Sequence, residues 1–128
     1  MFGLVLLLLV GLEIKHFIAD YTLQTGWMIA GKGSLRKPGG YIHAGIHVIG
    51  SAVVLLVAHL PPVAIAELVV VEFVVHYAFD FAKVYYGHGI NPDQDASRFW
   101  ALHGLDQLFH QLTYAGMIYF AVRAMGGV

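Results

Sequence analysis

The sequence predicts an all-α fold: a polytopic membrane protein built as a four-transmembrane-helix bundle, with residues 1–128 forming a single membrane domain. Composition is the first reason. The chain is 59% hydrophobic and 12% charged, where soluble domains are about a quarter charged. With 128 residues it cannot hide that much apolar surface within itself, so lipid must cover the remainder. The second reason is distribution. The apolar residues fall into four stretches, each about long enough to cross a hydrocarbon core of roughly 30 Å. Within lipid each span must satisfy its own backbone, which selects helices over open strands.

The first helix is expected over residues 2–20. Phe2 to Leu12 has neither the basic start nor the small-residue cleavage site of a secretory signal, so it reads as a retained helix. Leu23 to Ile29, with Trp27 and Met28, reads as a short amphipathic piece at the interface. The second helix spans 41–60 and is stopped by Pro61-Pro62, since proline cannot continue a helix. The third spans 63–86. A polar loop with Asn91-Pro92 leads to the fourth, 98–125. Lys32, Arg36, Lys37, Lys83 and Arg98 cluster at the two longer loops, against Arg123 alone at the other end. That asymmetry places the loops in the cytoplasm and both termini and the diproline turn outside.

Ionisable residues repeat on these helices at one spacing. His16 and Asp20, His43 and His47, His76 and Asp80, and Asp106 and His110 are each four apart, hence on one helix face. Up-down-up-down topology brings all four pairs to one level near the cytoplasmic side. The expected shallow layer is Asp20, His43, Asp80 and Asp106. The deeper one is His16, His47, His76 and His110, with Glu13 and Glu72 a turn deeper again. His103 and Gln107 stand beside the site without an assigned role. Glu-Ile-Lys-His-Phe-Ile-Ala-Asp from Glu13 is echoed by the run from Glu72 to Asp80, which suggests two related helical hairpins.

Each ionisable group in a membrane costs roughly 2.5–3.5 kcal/mol on insertion scales, so the cluster needs compensation. Only Lys83 is expected nearby, with Lys15 on another face. One or two divalent ions would balance the carboxylates, and an imidazole and carboxylate set suits zinc, iron or manganese. The chain has no cysteine, which excludes thiolate sites. His16, Asp20, His43, His47, His76, Asp80, Asp106 and His110 are the candidate ligands. His59 and His88 read as non-ligands, and Trp27, Trp100 and the tyrosines as an aromatic belt. A metal-free polar network and a b-type haem held by facing histidines are the competing readings.

The runs HFIADYTLQ from His16, HAGIH from His43, HYAFDFAK from His76 and DQLFH from Asp106 together resemble a bacterial family of small integral membrane proteins. That family is catalogued as a domain of unknown function. The resemblance extends over roughly Glu13 to Tyr119. It implies the His/Asp site and location in a bacterial inner (plasma) membrane, without implying a reaction.

The expected function is that of a metal-dependent hydrolase acting on a lipid or phosphorylated membrane substrate. Glu72 or Glu13 would serve as base, and Lys83 would hold an anionic group. The alternatives are a metal-handling protein, a non-catalytic subunit of a larger membrane complex, and a di-iron oxidase. Membrane lipid is the expected partner, with a homo-oligomer or a larger complex open. A net charge of −1 gives no pull on nucleic acid.

Overall fold

The computed structural model describes residues 1–126 and is all-helical, with no strand among the described residues. Helix α1 (Phe2–Phe17) runs on into one wide π turn, Ile18–Thr22. A short α2 (Gly26–Gly31) follows, then α3 (Gly39–Val57), α4 (Pro62–Gly87) and α5 (Ala96–Ala124). The π turn is a departure from the expected regular helix. It is closed by the Leu23 N–H donating to the Ile18 carbonyl at 3.0 Å, and it carries Asp20. Such turns are frequent at functional sites.

The long helices close a ring, α1 beside α3 and α5, and α4 beside the same two. One end of the bundle is apolar. Leu8, Leu12, Leu55, Leu60, Ile65, Met117 and Ala121 form its core. The other end holds the buried polar groups, from Lys15 through His110. The outer surface is apolar too: Leu9, Phe17, Ile49, Val53, Val70, Val74, Leu108 and Phe120 are all exposed. A contiguous apolar exterior of this extent belongs in lipid.

Three helical segments are long and apolar enough to cross a membrane: Phe2–Thr22, Gly39–Val57 and Pro62–Gly87. The expected fourth span corresponds to α5, which is long but falls short in hydropathy. Arg98, Asp106, Gln107, His110 and Gln111 dilute its apolar character.

Local signals explain the joints. Thr25 caps α2 by accepting from the Met28 N–H at 3.3 Å. Gly31 and Gly39 let α2 lie directly on the start of α3, since a Cβ on Gly31 would stand 2.8 Å from the Gly39 Cα. At the diproline turn α3 ends in a Schellman motif. The Leu60 N–H reaches the Leu55 carbonyl at 3.1 Å, and His59 takes the left-handed position with φ of 58°. Leu60 is thereby folded into the core, and Pro62 opens α4 where its missing N–H costs nothing.

The left-handed position is strained for histidine and free of strain for glycine. His59→Gly is therefore expected to stabilise the protein by up to about 1 kcal/mol in reversible unfolding in mixed micelles. His59→Val should lower stability in the same assay.

Candidate metal centre

Each helix contributes one stripe. α1 and its π turn supply Lys15, His16 and Asp20, and α3 supplies His43 and His47. α4 supplies Glu72, His76 and Asp80, and α5 supplies Asp106, His110 and Tyr114. The rings of His16, His47, His76 and His110 form a closed circuit, one from each long helix. Successive centroids lie 5.2, 3.9, 4.3 and 5.4 Å apart. His43 sits beside it, 4.7 Å from the His47 ring. Rings packed this closely leave no slot for a haem between them.

The aspartates are threaded among the imidazoles. Asp20 Oδ1 lies 2.9 Å from His47 Nε2 and 3.1 Å from His43 Nε2, and its Oδ2 lies 3.1 Å from His16 Nε2. Asp80 Oδ2 is 3.3 Å from His76 Nε2 and 3.5 Å from His43 Nε2, and its Oδ1 is 3.5 Å from His110 Nε2. Asp106 Oδ1 is 3.2 Å from His110 Nε2. Two sets of donor atoms, each within 4.8 Å of one another, could hold a metal ion: Asp20, His43, His47 and His76, and His76, Asp80 and His110. They share His76. Nδ1 of His43 and of His76 is buried with no hydrogen-bond partner, and their Nε2 atoms meet carboxylate oxygens at ion-pair distance without a well-directed hydrogen bond. Buried polar atoms are seldom left so, and convergent lone pairs of this kind fit a bound cation.

Cations nearby are more numerous than the sequence suggested. Lys15, expected on another face, is buried and ion-paired with Glu72. Its ammonium also lies 3.4 Å from His47 Nδ1 and 4.5 Å from the Tyr114 ring centre. Gly50 gives the lysine stem room, since a Cβ there would stand 3.3 Å from it. Lys32 lies 2.9 Å from Asp80 Oδ2, and Lys83 lies 2.8 Å from Asp106 Oδ2 and 3.3 Å from His103 Nδ1. Among the described residues Asp20 has no lysine or arginine within 4 Å, only imidazoles. The uncompensated charge is therefore localised there.

The remaining candidates divide. Glu72 is wholly buried on Lys15, while Glu13 is half-buried and joins neither set of donor atoms. Gln107 bridges the cluster, 3.0 Å from His16 Nε2 and donating to Asp106 Oδ2 at 3.2 Å. His59 and His88 are exposed. Tyr114, grouped by sequence with the aromatic belt, is instead buried with its hydroxyl 2.8 Å from His16 Nδ1. Ser51 is buried one turn below His47. Both continue a four-residue stripe, Asp106-His110-Tyr114 and His43-His47-Ser51, and one more step along it would have found them.

A family model described as Protein of unknown function (DUF3307) matches residues 5–125. The chain belongs to this family. The match includes every residue of the DUF3307 cluster from Lys15 to Tyr114. No curated protein and no solved structure matches the chain.

Removing one member of a buried ion pair strands the other. Glu72→Gln alone is expected to cost about 3–5 kcal/mol, and Lys15→Met/Glu72→Gln together much less. Reversible unfolding of both variants, in metal-free buffer, checks this independently of any ion.

Proposed function

We propose that this DUF3307 protein is an integral membrane metalloprotein. In this reading it is a metal-dependent hydrolase acting on a lipid or phosphorylated substrate at the cytoplasmic face of a bacterial inner membrane. The observation that carries the proposal is the pair of donor sets sharing His76, with buried ring nitrogens of His43 and His76 that make no hydrogen bond. Asp20, His43, His47 and His76 would hold one ion, at the carboxylate that lacks a lysine. Asp80 and His110, with Asp106 beside them, offer a second position. The donors suit zinc, iron or manganese. Bound there, a divalent ion supplies an activated water and polarises the group under attack.

The protein side chains have distinct tasks in this reading. Gln107 and Tyr114 fix the His16 ring by its two nitrogens, and Lys15 lies against His47 Nδ1. His16, expected from sequence as a ligand, joins neither donor set and would pack beside the ions instead of binding one. Glu72 acts through Lys15 and is thus a positioning residue. Asp106 borders an open slot between α4 and α5, where it would take up or return a proton. A second reading, the metal-free polar core of an accessory subunit, is favoured by the lysine pairs on Glu72, Asp80 and Asp106.

α5 would be the fourth span. Its buried polar groups, Asp106 and His110, face the bundle, while Leu105, Leu108, Leu112 and Phe120 face outward. Mean hydropathy is lowered in part by Asp106 and His110, which face the bundle, and in part by the exposed Arg98 and Gln111. Both termini would then lie outside.

Detergent-purified protein is expected to carry one or two equivalents of zinc, iron or manganese by mass spectrometry, lost in His76→Ala/Asp80→Ala. Metal absent from both, with the variant still folded, sinks the metalloenzyme reading. The chain has no native cysteine, so single cysteines report topology cleanly. Asp93→Cys should label from the cytoplasm and Ala124→Cys from outside. Labelling of both from one side would show that α5 does not cross.

A further inference from the structure

Lys32 and Lys83 stand at a boundary. Their ammonium groups hold Asp80 and Asp106, while their stems line a cavity of about 380 Å³ between α2 and the loop ends of α4 and α5. Gln24 and His103 add polar atoms to that cavity, and Val84 and Phe99 give it apolar walls. A second slot of about 160 Å³ runs between α4 and α5, along the stacked Phe79 and Phe109 rings and Leu105, with Asp106 at its edge. Lys83 and Leu102 line both, so the two spaces adjoin there. A charged chamber beside an apolar slot has the shape of an amphiphile.

Charge balance links this chamber to the metal cluster. Lys32 neutralises Asp80, a carboxylate of the second donor set, and Lys83 neutralises Asp106, which lies 3.2 Å from His110 of that set. A divalent ion at Asp80 and His110 would bring two positive charges to groups already balanced. The ammoniums are the mobile partners, each a point charge on a flexible four-carbon stem. Lys83 is already one-third exposed at its side chain, 34%. Released, the two ammoniums would face the chamber they line, with His103 and Gln24 alongside. Two lysine charges match a phosphate monoester, which carries about −1.5 to −2.

We propose that Lys32 and Lys83 are exchangeable counter-ions. Metal loading transfers them from Asp80 and Asp106 to the phosphate head of a monoester lipid seated in the chamber, its chain in the Phe79–Phe109 slot. This rests on the metal reading above and names the substrate class for the same site. Because coupling between two binding events is reciprocal, the lipid must tighten metal binding as much as the metal tightens lipid binding.

The test is calorimetric titration of the full chain in detergent with short-chain phosphatidic acid, metal-free and zinc-loaded. Zinc is expected to tighten phosphatidic acid binding by about tenfold or more. Phosphatidylcholine should not compete, and inorganic phosphate should bind more weakly. Lys32→Met/Lys83→Met should bind zinc at least as tightly as the parent and lose the zinc-dependent lipid binding. Equal lipid affinity with and without zinc overturns the proposal, and that comparison needs no variant. So does a zinc-loaded double variant that still binds the lipid as the parent does. Inorganic phosphate binding as tightly as phosphatidic acid overturns the lipid assignment. A parent chain that takes up no zinc fails earlier, at the metal reading, and is recognised by zinc uptake alone.

Discussion

Burying ionisable groups where water cannot reach them is the constraint on which the rest of this structure depends. Each such group must find its partner inside the bundle, and no single helix can provide it. The solution is four stripes with a four-residue step, so that every long helix turns one ionisable face inward at the same height. The closed circuit of His16, His47, His76 and His110 is the result. Lysines then neutralise three acids and leave Asp20 to imidazoles alone. That residual asymmetry is what supports the proposed metal site over a self-contained polar core.

The two ends of the bundle share the work. Leucines, Met117 and Ala121 close the diproline end as an ordinary apolar core, where proline and the Schellman turn fix the α3–α4 joint. The opposite end gives up apolar packing for polar contacts and open space, including the cavity beside Lys32 and Lys83. Order at one end holds the helices in place for the polar cluster at the other. α2 belongs to the functional end: pressed onto α3 through Gly31 and Gly39, it immediately precedes Lys32 and so delivers that ammonium to Asp80.

The lysine pairs sharpen the functional argument. A carboxylate cluster without cations would demand metal outright, whereas one partly balanced by ammonium groups has two states to choose between. An ion that competes with Lys32 and Lys83 must release them, and released lysines must find another anion. On the proposed reading, metal uptake and anion recognition are two faces of one charge balance.

The sequence by itself determined the helical class, the apolar stretches and the histidine and aspartate stripes, because periodicity and hydropathy are local properties of the chain. The family resemblance seen in those stripes is borne out by the match over residues 5–125. Hydropathy alone supports three spans, since a mean over α5 cannot tell an inward His110 from an outward one. The tertiary structure decided what depends on crossing distances between helices. Lys15 turns inward where Gly50 leaves its stem room, Lys32 reaches Asp80 because α2 folds back, and Asp20 stands among three imidazoles on a π turn that no pattern announced. Partners separated by tens of residues meet through helix packing, and a one-dimensional spacing rule carries no information about what lies across the gap.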